Sequence, residues 1–150
     1  MLEKSGPVER RGIGAMAIQH VTLWASNVAQ SRKFYSEILG LMEVPRPDWF
    51  DFQGTWYAVG DQQIHLTHAN PLPPRTTEHL CLQVADLELA RKYLESRSVP
   101  CRPDREYRGV RRFIIFDPDN NYIEIAEINQ AWPTQWPQPM PAGMRGPLLG

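Results

Sequence analysis

Residues 18–24 read IQHVTLW, and residues 77–83 read TEHLCLQ. Each stretch carries a histidine at its third position, so the two histidines stand 59 residues apart. The same offset aligns QIHL at 63–66 with YIEI at 122–125. A single offset therefore superimposes the two halves of the chain without a gap, and this pattern is typical of a duplicated module. Because there are only two copies, we predict a paired-module domain and not a solenoid.

Each copy predicts one βαβββ module. The opening segments, 18–24 and 78–84, alternate polar and apolar residues, as half-buried strands do. A short polar residue then offers a helix N-cap, Ser26 or Asn27 in the first copy and Asp86 in the second. Apolar residues at helical spacing follow, and three further extended segments come after each helix. The sequence therefore predicts an α+β fold of two βαβββ modules.

Composition divides the chain into five predicted parts. They are a flexible N-terminus at 1–15, the first module at 16–69, a linker at 70–76, the second module at 77–129 and an extended tail at 130–150. The linker contains three prolines, which stiffen it and prevent a strand from running through it. The tail is rich in proline and tryptophan, and its five prolines exclude a regular helix. It is either a loose terminus or a lid laid across another surface.

Composition also limits the classes of function. An apolar share of 42% over 150 residues is enough for one compact core. The formal net charge of −1 gives no general attraction to nucleic acid or to an anionic membrane, so we expect neither partner. No apolar run reaches the roughly 18 residues that cross a bilayer, and residues 1–15 lack the apolar centre of a secretory signal. We therefore expect a cytoplasmic protein with Cys81 and Cys101 reduced.

Strand alternation places four potential metal ligands on one side of the predicted sheets. Successive side chains of a strand point to opposite faces, and the apolar neighbours of these residues occupy the face that packs on the helices. The four are His20, His65, His79 and Glu124. Pairing of the modules about a pseudo-twofold axis would bring them to one point, where three imidazoles and one carboxylate suit Zn, Ni, Co, Mn or Fe(II). The alternative for any single histidine is a hydrogen-bonded structural or surface residue.

Several motifs of the chain resemble the vicinal oxygen chelate superfamily. They are IQHVTL at 18–23, SRKFYSEILGL at 31–41, QIHL at 63–66, EHL at 78–80 and FDPDNNYIEI at 116–125. This superfamily contains glyoxalases, epimerases, extradiol dioxygenases, fosfomycin-modifying thiol transferases and bleomycin-resistance proteins. The resemblance covers about residues 16–128, and it implies a cup-shaped mixed sheet around a metal site, and a homodimer.

The resemblance also implies roles for the four candidate ligands. His20, His79 and Glu124 match metal positions of the superfamily, whereas His65 stands where glyoxalases and epimerases usually have Glu or Gln. Glu124 is then the one carboxylate left for proton transfer, as the catalytic base. The implied function is a lyase or isomerase of glyoxalase type that acts on a small oxygenated metabolite. A thiol transferase, an extradiol-type dioxygenase and a metal-free ligand-binding protein remain the alternatives.

Substrate contacts are predicted around the metal. Five arginines occur within residues 102–112, and such a cluster suits a carboxylate, a phosphonate or a glutathione-like thiol conjugate. The residues predicted for substrate contact are Arg102, Arg105, Arg108, Arg111, Trp56 and Cys81. The alternatives are a solvated arginine loop and, for Trp56, packing in the core or in a dimer interface. Cys81 lies two residues after His79 and is predicted to share its face.

Overall fold

The computed structural model describes residues 17–74, 77–106 and 109–128, together with Ile13. In chain order its elements are β1 (His20–Ala25), α1 (Val28–Arg32) with a π-helical continuation (Lys33–Ile38), β2 (Met42–Val44), β3 (Gly54–Val59), β4 (Gln62–His68), β5 (His79–Gln83), α2 (Leu87–Ser96), β6 (Arg102–Pro103), β7 (Val110–Phe116) and β8 (Tyr122–Ile128). The order of one strand, one helical segment and three strands occurs twice. This confirms the predicted α+β fold of two βαβββ modules.

Each module forms one four-stranded mixed sheet. The strand order is β1-β4-β3-β2 in the first module and β5-β8-β7-β6 in the second. The first strand of each module lies parallel to the last, and the other neighbouring pairs are antiparallel. Parallel neighbours need a long crossover connection, and the helix of each module lies in that connection.

The helices begin where the sequence predicts caps. Asn27 Oδ1 and Asp86 Oδ1 each accept a hydrogen bond from the backbone N–H three residues later. Asn27, and not Ser26, is therefore the N-cap of α1. The first helix does not stay α-helical, because the Leu39 N–H donates to the carbonyl of Phe34, five residues back, in its π-helical part.

Side chains along the last strand of each module alternate between the apolar core and the opposite face of the sheet. Ile64 and Leu66 on β4 and Ile123 and Ile125 on β8 are buried in one apolar cluster with the helices. Full burial of each such side chain contributes about 1.5–3 kcal/mol to folding. The polar residue between the two members of each pair therefore points to the opposite face of its sheet.

The turn of residues 117–121, called here the intermodule turn, joins the two modules. The buried Asp117 carboxylate accepts a hydrogen bond of 2.8 Å from the Tyr35 hydroxyl of the first module. Asp119 accepts hydrogen bonds from the backbone N–H and the hydroxyl of Ser26. Burial raises the pKa of Asp117, and burial together with the charge of Asp117 raises the pKa of Tyr35. Polar contacts to two buried carboxylates thus link the modules.

Some predicted parts lie outside the described residues. These are residues 1–12, 14 and 15 of the N-terminus, residue 16 of the first module, residues 75–76 of the linker, residues 107, 108 and 129 of the second module, and the tail at 130–150. Within the described ranges, no helix has the length and the apolar character needed to cross a membrane.

Replacement of Tyr35 by Phe should destabilise the protein. The change removes a hydrogen bond to the buried Asp117 carboxylate, and a bond to a charged group is worth about 1.5–3 kcal/mol. We expect a loss of about that size in the free energy of unfolding, measured by urea denaturation. Tyr93→Phe is the matched control, since Tyr93 is 42% exposed. An equal effect of both substitutions would contradict a specific role of the Tyr35 hydroxyl.

Candidate metal centre

The first two candidate ligands, His20 on β1 and His65 on β4, lie on neighbouring strands of the first sheet. Their imidazole rings stack with centroids 4.2 Å apart. From the strand on the other side of β4, Trp56 stacks on His65 with ring centroids 4.0 Å apart and planes almost parallel. The His65 ring is therefore fixed between a second imidazole and an indole. His20 and His65 together are called here the His/His pair.

The surroundings of His65 favour a neutral ring. Burial first, and the charge of His20 second, lower the pKa of the His65 imidazole. A neutral imidazole is the form that binds a metal ion. Gln63 Oε1 lies 2.8 Å from His65 Nε2, and Gln19 Oε1 contacts His20 Nδ1, so a glutamine side chain holds each ring. Such outer contacts are typical of metal-binding histidines.

The other two candidate ligands, His79 on β5 and Glu124 on β8, meet on the second sheet. His79 Nε2 lies 3.4 Å from Glu124 Oε2. His79 Nδ1 lies 3.0 Å from the carbonyl oxygen of Thr77, which can only accept a hydrogen bond, so Nδ1 carries the proton. If the ring is neutral, Nε2 is an acceptor that faces a second acceptor, and a cation between the two atoms would satisfy both. His79 and Glu124 together are called here the His/Glu pair.

The Glu124 carboxylate has acceptor capacity that the described residues do not use. Its side chain is buried, and Arg112 Nη1 donates to Oε2 at 3.0 Å. The other oxygen, Oε1, is also buried, and no N–H or O–H group of the described residues donates to it. Buried acceptors are nearly always satisfied, so this oxygen has the capacity to bind a further partner such as a cation. The donor set of the two pairs fits a divalent metal ion.

One chain presents the predicted ligands as two separate half-sites. In the part of the chain that the structure describes, no group of three or more His, Cys, Asp and Glu residues is placed to hold one ion. The sequence argument expected all four ligands at one point. Alternation fixes the face of each side chain, but it does not fix the separation of the two sheets. His20 and His79 nevertheless line the same cavity, which has a volume of about 540 Å³.

Cys81 lies beside the His/Glu pair, on the face predicted for it. Cys81 on β5 is the direct Cα partner of Glu124 on β8. Burial, and after it the charge of Glu124 and a hydrogen bond to it, raise the pKa of the Cys81 thiol to about 11. The thiol is therefore protonated at neutral pH, where it can line a pocket but is a weak nucleophile.

Among the four arginines predicted for substrate contact, Arg102 lies near the His/Glu pair. Its guanidinium carbon is 5.6 Å from the ring centroid of Phe116 and 6.0 Å from that of Tyr122. The Tyr122 ring in turn lies 4.7 Å from the His79 ring, measured between centroids. Among the described residues, no carboxylate forms an ion pair with Arg102, so its donors are available to an anion.

The other arginines of the cluster are placed differently. Arg111 Nη1 lies 3.3 Å from Glu127 Oε1, on the opposite face of the second sheet from Glu124. Arg105 contributes its backbone carbonyl to the site, by accepting a hydrogen bond from Arg112 Nε, and Arg108 lies outside the described residues.

Sequence reasoning missed Arg112, which contacts Glu124 directly. The signal was present in the strand pattern. Phe113 and Ile115 on β7 belong to the apolar core, so alternation sends Arg112 to the face of Glu124 and Arg111 to the face of the helix. Treating the five arginines as one cluster concealed this difference, because Arg111 and Arg112 lie within β7, which begins at Val110.

Comparison with known proteins agrees with the fold. The model of the Glyoxalase/Bleomycin resistance protein/Dioxygenase superfamily matches residues 17–125. The chain belongs to this superfamily.

Three similar proteins are 27–30% identical to the chain over their aligned residues. It is 28% identical to "Glyoxylase I 4" of Arabidopsis thaliana over 120 residues, which cover 73% of this chain and 69% of that protein. It is 30% identical to the uncharacterised protein YaeR of Escherichia coli strain K12, over 77% of this chain and 98% of that one. A crystal structure described as a glyoxalase family protein from Bacillus anthracis superimposes with a TM-score of 0.72 at 27% identity, covering 76% and 96% of the two chains.

The pKa of Cys81 can be tested by alkylation of chelator-treated protein. With a pKa of about 11, only about one thiol in a hundred is ionised at pH 9, so iodoacetamide should react slowly and increasingly fast up to pH 11. Because the charge of Glu124 raises this pKa, Glu124→Gln should speed the modification of Cys81 at pH 9, followed by mass spectrometry. Glu95→Gln is the control, since Glu95 acts on Cys101 instead. A faster reaction of Cys81 in the control protein would contradict the assignment.

Proposed function

We propose that this superfamily member is a divalent-metal-dependent enzyme of lyase or isomerase type that acts on a small oxygenated metabolite. The observation that carries the proposal is the state of Glu124. Its carboxylate is buried, one oxygen lies 3.4 Å from His79 Nε2, and the other has no N–H or O–H donor among the described residues. Arg112 offsets part of the cost of burying this carboxylate, and a metal ion at the remaining acceptor would offset the rest.

The ligands in this proposal are His20, His65, His79 and Glu124, and the ion is Zn, Ni, Co, Mn or Fe(II). The bound ion supplies Lewis-acid polarisation of adjacent substrate oxygens. Glu124 is the one carboxylate of the set, so it removes a proton from the substrate and returns it. The stacked His65 stays neutral and serves as a ligand without base function.

A second copy of the chain completes the site in this proposal. Each described chain offers a His/His pair on one sheet and a His/Glu pair on the other, and three or more of these residues do not gather within it. A twofold dimer in which each copy supplies its complementary pair gives two complete sites. The resulting homodimer carries four protein ligands per ion, with room for substrate if the ion is five- or six-coordinate.

The substrate in this proposal carries an anionic group. Arg102 is held over Phe116 and Tyr122, beside His79, with its N–H donors directed to no carboxylate of the described residues. An arginine fixed in this way suits bidentate contact with a carboxylate or phosphonate. Trp56 and Cys81 border the two half-sites and offer apolar contact to the remainder of the molecule.

Metal binding is the first test of this function. Wild-type protein should bind an added ion with a defined stoichiometry, measured by isothermal titration calorimetry and elemental analysis. Glu124→Ala should weaken binding by more than about 100-fold, because it removes a ligand, whereas His68→Ala should leave the affinity unchanged. If wild-type protein purifies without metal and gains no thermal stability from any of the five ions, the enzyme proposal is wrong and a metal-free binding protein is favoured.

Co-expression of two variant chains, each of which lacks one ligand pair, tests the role of the second copy. One chain carries His20→Ala and His65→Ala, and the other carries His79→Ala and Glu124→Ala. Neither should bind metal alone. After co-expression, random pairing gives half heterodimers with one complete site each, so the preparation should bind about a quarter of the wild-type ion content. Absence of any binding in the mixture would show that the site is completed within one chain.

A further inference from the structure

Arg112 is held at three points around the Glu124 carboxylate. Its Nη1 donates to Glu124 Oε2 at 3.0 Å, and its Nη2 lies 3.0 Å from Asp104 Oδ2. Its Nε donates to the backbone carbonyl of Arg105 at 3.1 Å. The acceptors come from β8 and from the segment that follows β6, so the guanidinium plane is fixed from two sides. A side chain held in this way has little freedom left to move.

The contact with Glu124 is one-sided. Arg112 donates to Oε2, the same oxygen that faces His79 Nε2 at 3.4 Å, and not to Oε1. An arginine could instead donate hydrogen bonds to both carboxylate oxygens, as Arg32 does with Glu43 on the protein surface. Because Arg112 takes only one oxygen, the bond sets the rotation of the carboxylate and leaves its remaining acceptor capacity unused.

Without a bound metal ion, the buried negative charge of Glu124 needs the contact with Arg112. Glu124 is buried, and an isolated buried carboxylate would turn toward solvent or take up a proton. The Arg112 side chain remains about one-fifth exposed, at 21%, and Asp104 balances its charge. The Arg112 guanidinium therefore stabilises the buried Glu124 carboxylate while it remains partly exposed to solvent itself.

We propose that Arg112 is a positioning residue, which holds the Glu124 carboxylate against His79 before the metal ion arrives. This inference rests on the metal-binding function proposed above. Asp104 has an indirect part, since it orients Arg112 and does not touch Glu124 through any of the described contacts. The expected consequence is a half-site already arranged for its ion, in which the metal affinity depends on the shape of the guanidinium and not on its charge alone.

The test compares Arg112→Lys with Arg111→Lys. Both substitutions keep the charge, and the two residues are adjacent on β7, but Arg111 pairs with Glu127 on the other face. A lysine amine cannot reach Glu124, Asp104 and the Arg105 carbonyl together. Arg112→Lys should therefore weaken Co²⁺ binding by about 10-fold or more and shift the visible absorption spectrum of the Co²⁺ protein. Arg111→Lys should change the affinity less than about twofold and leave the spectrum unaltered. Equal affinities and spectra of wild type and Arg112→Lys would overturn the inference.

A metal-free measurement separates this inference from the proposed function. Arg112→Met and Glu124→Gln are made singly and together, and the thermal unfolding midpoint of each chelator-treated protein is recorded. If the two side chains act as one unit, the double variant should unfold no earlier than the less stable single variant. Additive losses would overturn the positioning role. Failure of wild-type protein to bind any ion would refute the proposed function. The unfolding midpoints of the metal-free proteins would still test whether Arg112 and Glu124 act as one unit.

Discussion

In each module the first strand lies parallel to the last and is hydrogen-bonded to it, and the candidate site depends on this pairing. It places β1 beside β4 and β5 beside β8, so that residues more than 40 positions apart in the chain become lateral neighbours. His20 reaches His65 in one sheet and His79 reaches Glu124 in the other for this reason. A shift of either register by one residue would send a ligand into the apolar core, where a buried charge is unfavourable.

The two half-sites lie on sheets of the same topology, but their side chains differ in chemical character. In the first, His65 is enclosed by the rings of His20 and Trp56, and glutamine amides hold the imidazoles. In the second, Glu124 is surrounded by ionic contacts that include Arg112. Duplication thus produced one half built from aromatic rings and one half that contains ionic side chains. If a metal ion joins them, its charge is balanced by the second half alone, and the first half supplies ligands without added charge.

Much of the arrangement of modules and candidate ligands follows from local rules that can be applied to the sequence. The repeat spacing and the two-residue period predicted both modules and the shared face of His65 and Glu124, because the flanking isoleucines and leucine must be buried. The distance between half-sites did not follow, since it depends on how two complete sheets pack. Arg112 was missed for a smaller reason. It belongs to a cluster of five arginines that was interpreted as one unit, so the alternation along β7 that distinguishes it from Arg111 was not applied.

The intermodule turn has a consequence for how such proteins associate. Its bonds connect Asp117 and Asp119 of the second module with Tyr35 and Ser26 of the first, and none of them depends on the two modules belonging to one polypeptide. A copy of the chain could accept the second module of a neighbour with the same contacts, and only the path of residues 70–76 would differ. Reciprocal domain swapping would then carry little enthalpic penalty, and the length and stiffness of that connection would select between a closed monomer and an exchanged dimer.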